Sequence, residues 1–221
     1  MQPQNPSSET VWTFGRLREW TEQYLAKKGI EQAGLETQVL MSHALQCSRI
    51  ELFTQQEREA TQEGRDRLRE LIQKRAEGAP VAYLVGQKEF FSLSFEVDES
   101  VLIPRPDSEW IVYECLQLAK EMDAPTILDL GTGSGCLAIA LAHQNKNAKV
   151  TAVDISELAL KLAHRNAEKQ NVDERVTFVQ SDLFDALEDE QQFDFVISNP
   201  PYIRTADLET LQKEVRDFEP R

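Results

Sequence analysis

One stretch indicates the fold of the second half of the chain: Thr126-Ile127-Leu128-Asp129-Leu130-Gly131-Thr132-Gly133-Ser134-Gly135. Residues 126–130 are apolar apart from Thr126 and Asp129, as in a buried strand. The mostly apolar run 136–143 that follows the glycines predicts a helix. The glycines between them allow positive φ and let a ligand approach the backbone closely. The stretch therefore predicts a strand, a tight binding turn and a helix.

The same alternation continues towards the C-terminus. Strands are predicted over 149–154, 175–180 and 194–198, and a helix over about 157–170. Repeated β-α-β units produce a parallel sheet with right-handed crossovers and helices on both faces. We therefore expect an α/β fold with a Rossmann-like sheet of about four parallel strands.

The first third of the chain has a different pattern, with apolar residues at helical spacing between residues 11 and 77. Four short amphipathic helices are predicted there, which suggests a small bundle. Ser48 and Glu51 have the spacing of a capping box at the start of the third helix, and Gly78 is placed to end the fourth.

From Lys88 the apolar residues alternate with polar ones, which predicts a β-hairpin or an extended linker. Asp107 or Ser108 is a candidate cap for a helix that follows. We expect a helical domain over residues 1–79, a linker with a hairpin over 80–106, and an α/β domain over 107–221.

Composition indicates the class of ligand and the cellular compartment of the protein. The net charge of −14 over 221 residues counts against binding to nucleic acid, which usually needs a basic face, and favours a small cationic cofactor or a basic protein partner. The three cysteines are scattered, as is typical of a reduced cytoplasmic protein. The chain has neither a signal-peptide pattern nor an apolar run of the ~20 residues needed to span a membrane. We expect a cytoplasmic protein that binds no metal.

The loop after the last predicted strand carries the most specific chemistry. Asn199, Pro200, Pro201 and Tyr202 follow the strand directly. The prolines have no N–H group and hold the chain extended, so the loop offers acceptors and almost no donors. The Asn199 side-chain oxygen and the Pro200 carbonyl can accept both N–H bonds of a planar amino or amide group, and Tyr202 can stack on it. The alternative is a proline-rich turn that only closes the strand.

Two further strand ends carry acidic residues. Asp154 ends the second strand, where a carboxylate can bind the ribose hydroxyls of a nucleoside. Asp182 and Leu183 follow the third strand and could line an adenine pocket, although Asp182 could instead cap a helix. The glycine spacing differs from the dinucleotide pattern G-x-G-x-x-G, and an amino-group pocket is not needed for hydride transfer. Together these features favour S-adenosylmethionine (SAM) over NAD.

Several motifs together resemble one family, the release-factor glutamine N5-methyltransferases, called PrmC or HemK. The resemblance extends over nearly the whole chain, and one part of it, Asp107-Ser108-Glu109, departs from the Glu-Thr-Glu usual in the family. It rests on these segments, in order along the chain: Gly78-Ala79-Pro80-Val81-Ala82-Tyr83-Leu84-Val85-Gly86, Glu89-Phe90, 101–106 with Pro104-Arg105-Pro106, 129–135, Asp154, 199–202, Glu214-Val215 and Phe218-Glu219-Pro220.

The resemblance implies SAM-dependent methylation of the glutamine side chain in the Gly-Gly-Gln loop of class 1 peptide-chain release factors, by a monomer whose helical domain docks the substrate. The implied cofactor site comprises the turn, the residue that ends the second strand, two residues after the third strand and two more distant residues: Gly131, Thr132, Gly133, Ser134, Gly135, Asp154, Asp182, Leu183, Asn199 and Phe90. The implied catalytic residues are Asn199, Pro200 and Tyr202. Pro201 and Arg105 join them as substrate-binding residues.

The family's sheet has seven strands, whereas four strand signals are present here, so the α/β domain is expected to be incomplete at its C-terminus, with an exposed edge strand. Two alternatives remain open at this point. One is an amino-methyltransferase of DNA, RNA or another protein. The other is an inactive SAM-binding interaction module.

Overall fold

A computed structural model describes residues 11–188, 190–200 and 203–220. The chain divides into two compact units, Met1–Val85 and Gly86–Arg221. The segment predicted as a linker is therefore shared, with residues 80–85 in the first unit and 86–106, including the hairpin, in the second.

The first unit is helical. Its helices are α1 (Phe14–Lys27), α2 (Ala33–Leu45), α3 (Arg49–Thr54), α4 (Gln62–Glu77) and α5 (Val81–Val85). The four predicted helices are confirmed, and α5 is additional. The capping box of Ser48 and Glu51 is present at the start of α3, and α4 ends at Gly78, whose φ of 111° is accessible to glycine without strain. The apolar faces of the helices form one core.

The second unit begins with a hairpin and continues as an α/β sheet. Its elements are β1 (Gln87–Phe90), β2 (Leu93–Glu96), a 3-10 turn (Pro106–Ser108), α6 (Glu109–Leu118), β3 (Thr126–Leu130), α7 (Cys136–Gln144), β4 (Lys149–Asp154), α8 (Glu157–Lys169), a second 3-10 turn (Asp173–Arg175), β5 (Val176–Gln180), β6 (Phe195–Ser198), a 3-10 helix (Thr205–Thr210) and α9 (Lys213–Phe218). The four predicted strands are confirmed to within one residue.

The sheet has the order β5-β4-β3-β6 with all neighbours parallel. The chain moves outward from β3 through β4 to β5 and then returns to the opposite side of β3. Helix α7 is buried along its length, and it packs with the hairpin residues Phe90 and Phe95 in the core of this unit. Because β4 and β6 lie on opposite sides of β3, the strand order reverses between β3 and β6.

No helix in the described part of the chain combines the length and the apolar character required to cross a membrane.

Candidate active site

The candidate site lies at the carboxyl ends of β3 and β6. In open α/β sheets, ligands bind in the crevice where the strand order reverses, and here that crevice is between these two strands. Leu130 is the register partner of Ser198, and the Ser198 hydroxyl donates to the Leu130 carbonyl at 2.7 Å. The pairing places Gly131 and Asn199, each the next residue along its strand, at the same edge of the sheet.

The glycine turn is held by its neighbour strand and open on its other side. The N–H groups of Gly131 and Thr132 both donate to the Val153 carbonyl, at 2.8 and 2.9 Å. A Cβ built on Gly131 or Gly133 would meet no atom within 4 Å, and both have positive φ. The backbone at these two positions is therefore accessible to a ligand, as the sequence predicts.

The other three residues of the turn have internal roles in the structure. A Cβ on Gly135 would lie 2.8 Å from the Ile139 side chain, so this glycine permits close packing. Thr132 and Ser134 are buried, and the Thr132 hydroxyl donates to Asp129 at 2.7 Å. A cofactor at this turn would therefore meet backbone groups of Thr132 and Ser134 rather than their side chains.

Asp154 reaches from the end of β4 to the glycine turn. One carboxylate oxygen accepts from the Gly133 N–H at 2.8 Å and the other from the Ser156 N–H at 2.9 Å. Each oxygen can accept a further hydrogen bond. Asp154 thus fixes the turn and keeps acceptor capacity for ribose hydroxyls.

Asp129 is a buried carboxyl beneath the turn, with no exposed surface. Burial raises its pKa to about 6, the nearby Asp154 carboxylate adds to the rise, and the Thr132 hydroxyl opposes it. Both acidic groups favour a cationic ligand at this edge.

Asp182 and Leu183 follow β5 and are exposed, and Leu183 has a φ of 51°. Residues 182–186 form turns and not a helix, so the structure offers no helix for Asp182 to cap. The Ser181 N–H donates to the Asp154 carbonyl at 3.1 Å, which brings this segment beside the end of β4. Leu183 is 61% exposed and available to contact a base.

Asn199 is half-buried, and its side-chain nitrogen donates to the Ser108 hydroxyl at 3.1 Å. This bond uses the NH2 end of the carboxamide and leaves the oxygen to accept. Pro200 is exposed. Pro201 and Tyr202, predicted to bind or stack on the substrate, lie outside the described residues.

Two predicted site residues have partners within the protein. Phe90 is 1% exposed and packs edge-on against Phe95, with ring centroids 6.1 Å apart. Because it presents no surface to a ligand, the predicted cofactor contact is replaced by a role in the core. Arg105 forms an ion pair at 2.6 Å with the buried Glu219 carboxylate, so its guanidinium has an internal partner. Its predicted substrate contact stays a prediction.

Two contributors to the site were not predicted. Ser108 was expected at most as a helix cap, yet it makes no capping hydrogen bond and contacts Asn199 instead. Asn166 is completely buried, and its amide joins the glycine turn to the hairpin through Ser134 and Glu96. Asn166 was detectable in principle, because it is a polar residue on the apolar face of α8, four positions after Leu162.

Residues 111–216 match the methyltransferase small domain family, and residues 16–86 match the PrmC N-terminal domain. The release factor glutamine methyltransferase of Rhodopirellula baltica is 48% identical over 219 residues, which are 97% of this chain and 74% of that protein. The protein of the same name from Geobacter sulfurreducens is 47% identical over 96% of this chain and 72% of its own length.

Among solved structures, the N-terminal domain of human METTL16 in complex with SAH is similar with a TM-score of 0.43 and 25% identity, covering 57% of this chain and 55% of that one.

Proposed function

The chain belongs to the release factor glutamine methyltransferase family, and from that membership we propose that it transfers a methyl group from SAM to the side-chain nitrogen (N5) of the glutamine in the Gly-Gly-Gln loop of class 1 release factors. The observation that carries the proposal is the pairing of Leu130 with Ser198. It sets an open glycine turn next to an asparagine whose carboxamide oxygen is available to accept from a substrate amide.

The residues present fit SAM. When bound, SAM supplies a methyl group made electrophilic by a cationic sulfonium. The open backbone at Gly131 and Gly133 suits its amino-acid part, Asp154 would bind the ribose, and Asp182 with Leu183 would line the adenine. The carboxyl groups of Asp129 and Asp154 favour the positive charge of this cofactor over the negative pyrophosphate of a dinucleotide.

The chemical task of the chain is to position a poor nucleophile. An amide nitrogen has its lone pair delocalised into the carbonyl, so the site must hold it ~3–3.5 Å from the methyl carbon and in line with the departing sulfur. The nitrogen forms the new C–N bond as the C–S bond breaks with its electron pair left on sulfur. The nitrogen then loses one proton to solvent, which restores the neutral amide.

Asn199 and Pro200 lower the barrier through their acceptors. Positive charge grows on the nitrogen as the bond forms, and its N–H groups become stronger donors. The Asn199 oxygen and the Pro200 carbonyl therefore bind the transition state more tightly than the ground state, which is the condition for catalysis. Tyr202 is proposed to stack on the substrate amide, and Pro201 to keep the loop extended.

The proposal extends to the partner and setting of the protein. The helical unit Met1–Val85 would dock the release factor, and the net charge of −14 suits a basic protein surface better than nucleic acid. We place the protein in the cytoplasm, where release factors work, as a monomer.

The test is methylation with isotope-labelled SAM. The purified chain is incubated with a class 1 release factor, with the same factor carrying alanine in place of the Gly-Gly-Gln glutamine, and with DNA. We expect label only in the unaltered release factor. Label in the alanine variant or in DNA would contradict the proposal, as would no label in any of the three substrates.

A further inference from the structure

We propose that Ser108 is a positioning residue for methyl transfer, which holds the Asn199 carboxamide with its nitrogen inward and its oxygen towards the substrate. This inference rests on the proposed function. It starts from the hydrogen bond of 3.1 Å that joins the Asn199 nitrogen to the Ser108 hydroxyl across 91 positions of sequence.

The ordinary reason for a serine at the start of a helix does not apply to Ser108. It occupies the N-cap position of α6, but it has helical dihedral angles and its hydroxyl makes no capping hydrogen bond. A capping serine normally has an extended backbone and accepts from the second or third N–H of its helix. The hydroxyl is therefore available for a hydrogen bond with the loop after β6.

The chemistry of a carboxamide explains why such a contact matters. Its two ends are nearly the same in shape, but one donates and the other accepts. A rotation by a half turn would present the Asn199 NH2 group to the NH2 group of the substrate, and the catalytic hydrogen bond would be lost. The hydrogen bond from the Asn199 nitrogen to Ser108 restrains rotation of the carboxamide, and in the orientation of the structure the oxygen is left for the substrate. A serine hydroxyl can also donate, so the contact limits the movement of the carboxamide and the substrate amide, which needs an acceptor, favours this orientation.

Ser108 is held in place by buried structure on both sides. It is 6% exposed and ends the 3-10 turn Pro106–Ser108. The helix that follows is anchored by Val112 and Cys115, which are 0% and 4% exposed and belong to the core of the second unit. A hydroxyl held in this way can restrain the carboxamide better than a surface side chain could.

Arg105, directly before the 3-10 turn, makes a second contact with the residues that follow β6. Arg105 pairs at 2.6 Å with Glu219, whose side chain is only 2% exposed. Ser108 thus contacts Asn199, and the neighbouring Arg105 contacts Glu219. Removing the Ser108 hydroxyl would release the Asn199 carboxamide and leave the ion pair between Arg105 and Glu219 intact.

The experiment compares three variants at this position with the unaltered chain. Ser108→Ala and Ser108→Cys remove the oxygen acceptor, and Ser108→Thr retains it. We expect kcat for release factor methylation to fall about 10-fold in the first two and to recover at least half of its value in Ser108→Thr. KM for the release factor and Kd for SAM should stay within about twofold. The control is Asp107→Ala, an exposed neighbour in the same turn, with unchanged kcat.

Two kinetic outcomes would overturn the inference. One is a kcat within twofold of the unaltered chain in both Ser108→Ala and Ser108→Cys. The other is a loss that Ser108→Thr does not restore and that comes with a lower Tm or weaker SAM binding, because the role of the hydroxyl would then be only structural.

The hydrogen bond can also be tested without activity, by NMR of the Asn199 side-chain NH2 group. Slow exchange of one of its protons with solvent, lost in Ser108→Ala and kept in Ser108→Thr, supports the contact, and exchange that is equally fast in all three overturns it. If the chain methylates no release factor while the NMR result is positive, the proposed function fails and the contact stands.

Discussion

Replacement of Asn166 by alanine should loosen the glycine turn from a distance, since Asn166 joins it to the hairpin. The Asn166 oxygen accepts from the Glu96 N–H at 2.7 Å, and its nitrogen donates to the carbonyls of Glu96 and Ser134 at 3.0 and 2.9 Å. The side chain is 0% exposed. Three backbone groups from two separate segments therefore depend on one amide.

The magnitude follows from the burial of those groups. An unsatisfied buried donor or acceptor costs about 1–3 kcal/mol. The bond to the Ser134 carbonyl is buried and the two to Glu96 are partly buried, so one full and two partial penalties are expected. Asn166→Ala should lower the free energy of unfolding by about 3–5 kcal/mol. SAM affinity should fall as well, because Ser134 belongs to the turn that would hold the cofactor.

The assays are denaturant unfolding and calorimetric titration with SAM. The matched control is Gln170→Ala, four residues later, whose amide makes one exposed hydrogen bond of 2.9 Å to the Ser94 carbonyl. It should cost less than about 1 kcal/mol and leave SAM affinity unchanged. If Asn166→Ala is no more destabilising than this control and binds SAM equally well, the amide does not join the two segments in the way described.

Three further predictions concern the site itself. Asn199→Ala should lower kcat for release factor methylation by ~10²–10³-fold with little change in SAM affinity, measured by steady-state kinetics and titration; a kcat within a few-fold of the unaltered chain would contradict it. Asp154→Ala should weaken SAM binding ~10–100-fold, because it removes hydrogen bonds to a charged group, and an unchanged Kd by calorimetry would refute the ribose contact. Asp129 has a folded-state pKa of about 6, above the ordinary 3.8, so the folded state binds the proton more tightly. The contribution of the Asp129 carboxyl to the free energy of unfolding is complete below about pH 4 and is lost as the pH rises through about 6. Asp129→Asn should remove about 3 kcal/mol of this pH dependence from unfolding curves.

Two wrong or displaced expectations have the same physical origin. The sequence shows which residue types are present, but a ring such as Phe90 suits a ligand pocket and a core equally well. Only the packing of the hairpin into the core of the second unit decides that this ring is buried. The same holds for the cap of α6, where Ser108 has the right residue type for capping and its hydroxyl is directed to another strand end by the fold.

The position of the division between the two units also depended on three-dimensional contacts. The change from helical to alternating periodicity places a boundary near residue 80, whereas the compact units meet between Val85 and Gly86. Helix α5 is too short to be recognised from periodicity, and it joins the first unit through the buried Val85. Local pattern finds the change of structure, and packing assigns the residues in between.

The elements that depend on neighbouring residues could be predicted from the sequence: the strands and helices of the sheet, the capping box at Ser48, and the turn at Gly131 to Gly135. These follow from periodicity, capping chemistry and the freedom of glycine, all of which act over a few positions of chain. That Asn166 joins the turn to the hairpin, and that Ser108 contacts Asn199, follows from long-range packing. Asn166 and Ser134 lie 32 positions apart, and Ser108 and Asn199 lie 91 positions apart. No short-range preference specifies which distant partner a buried polar group will contact in the folded chain.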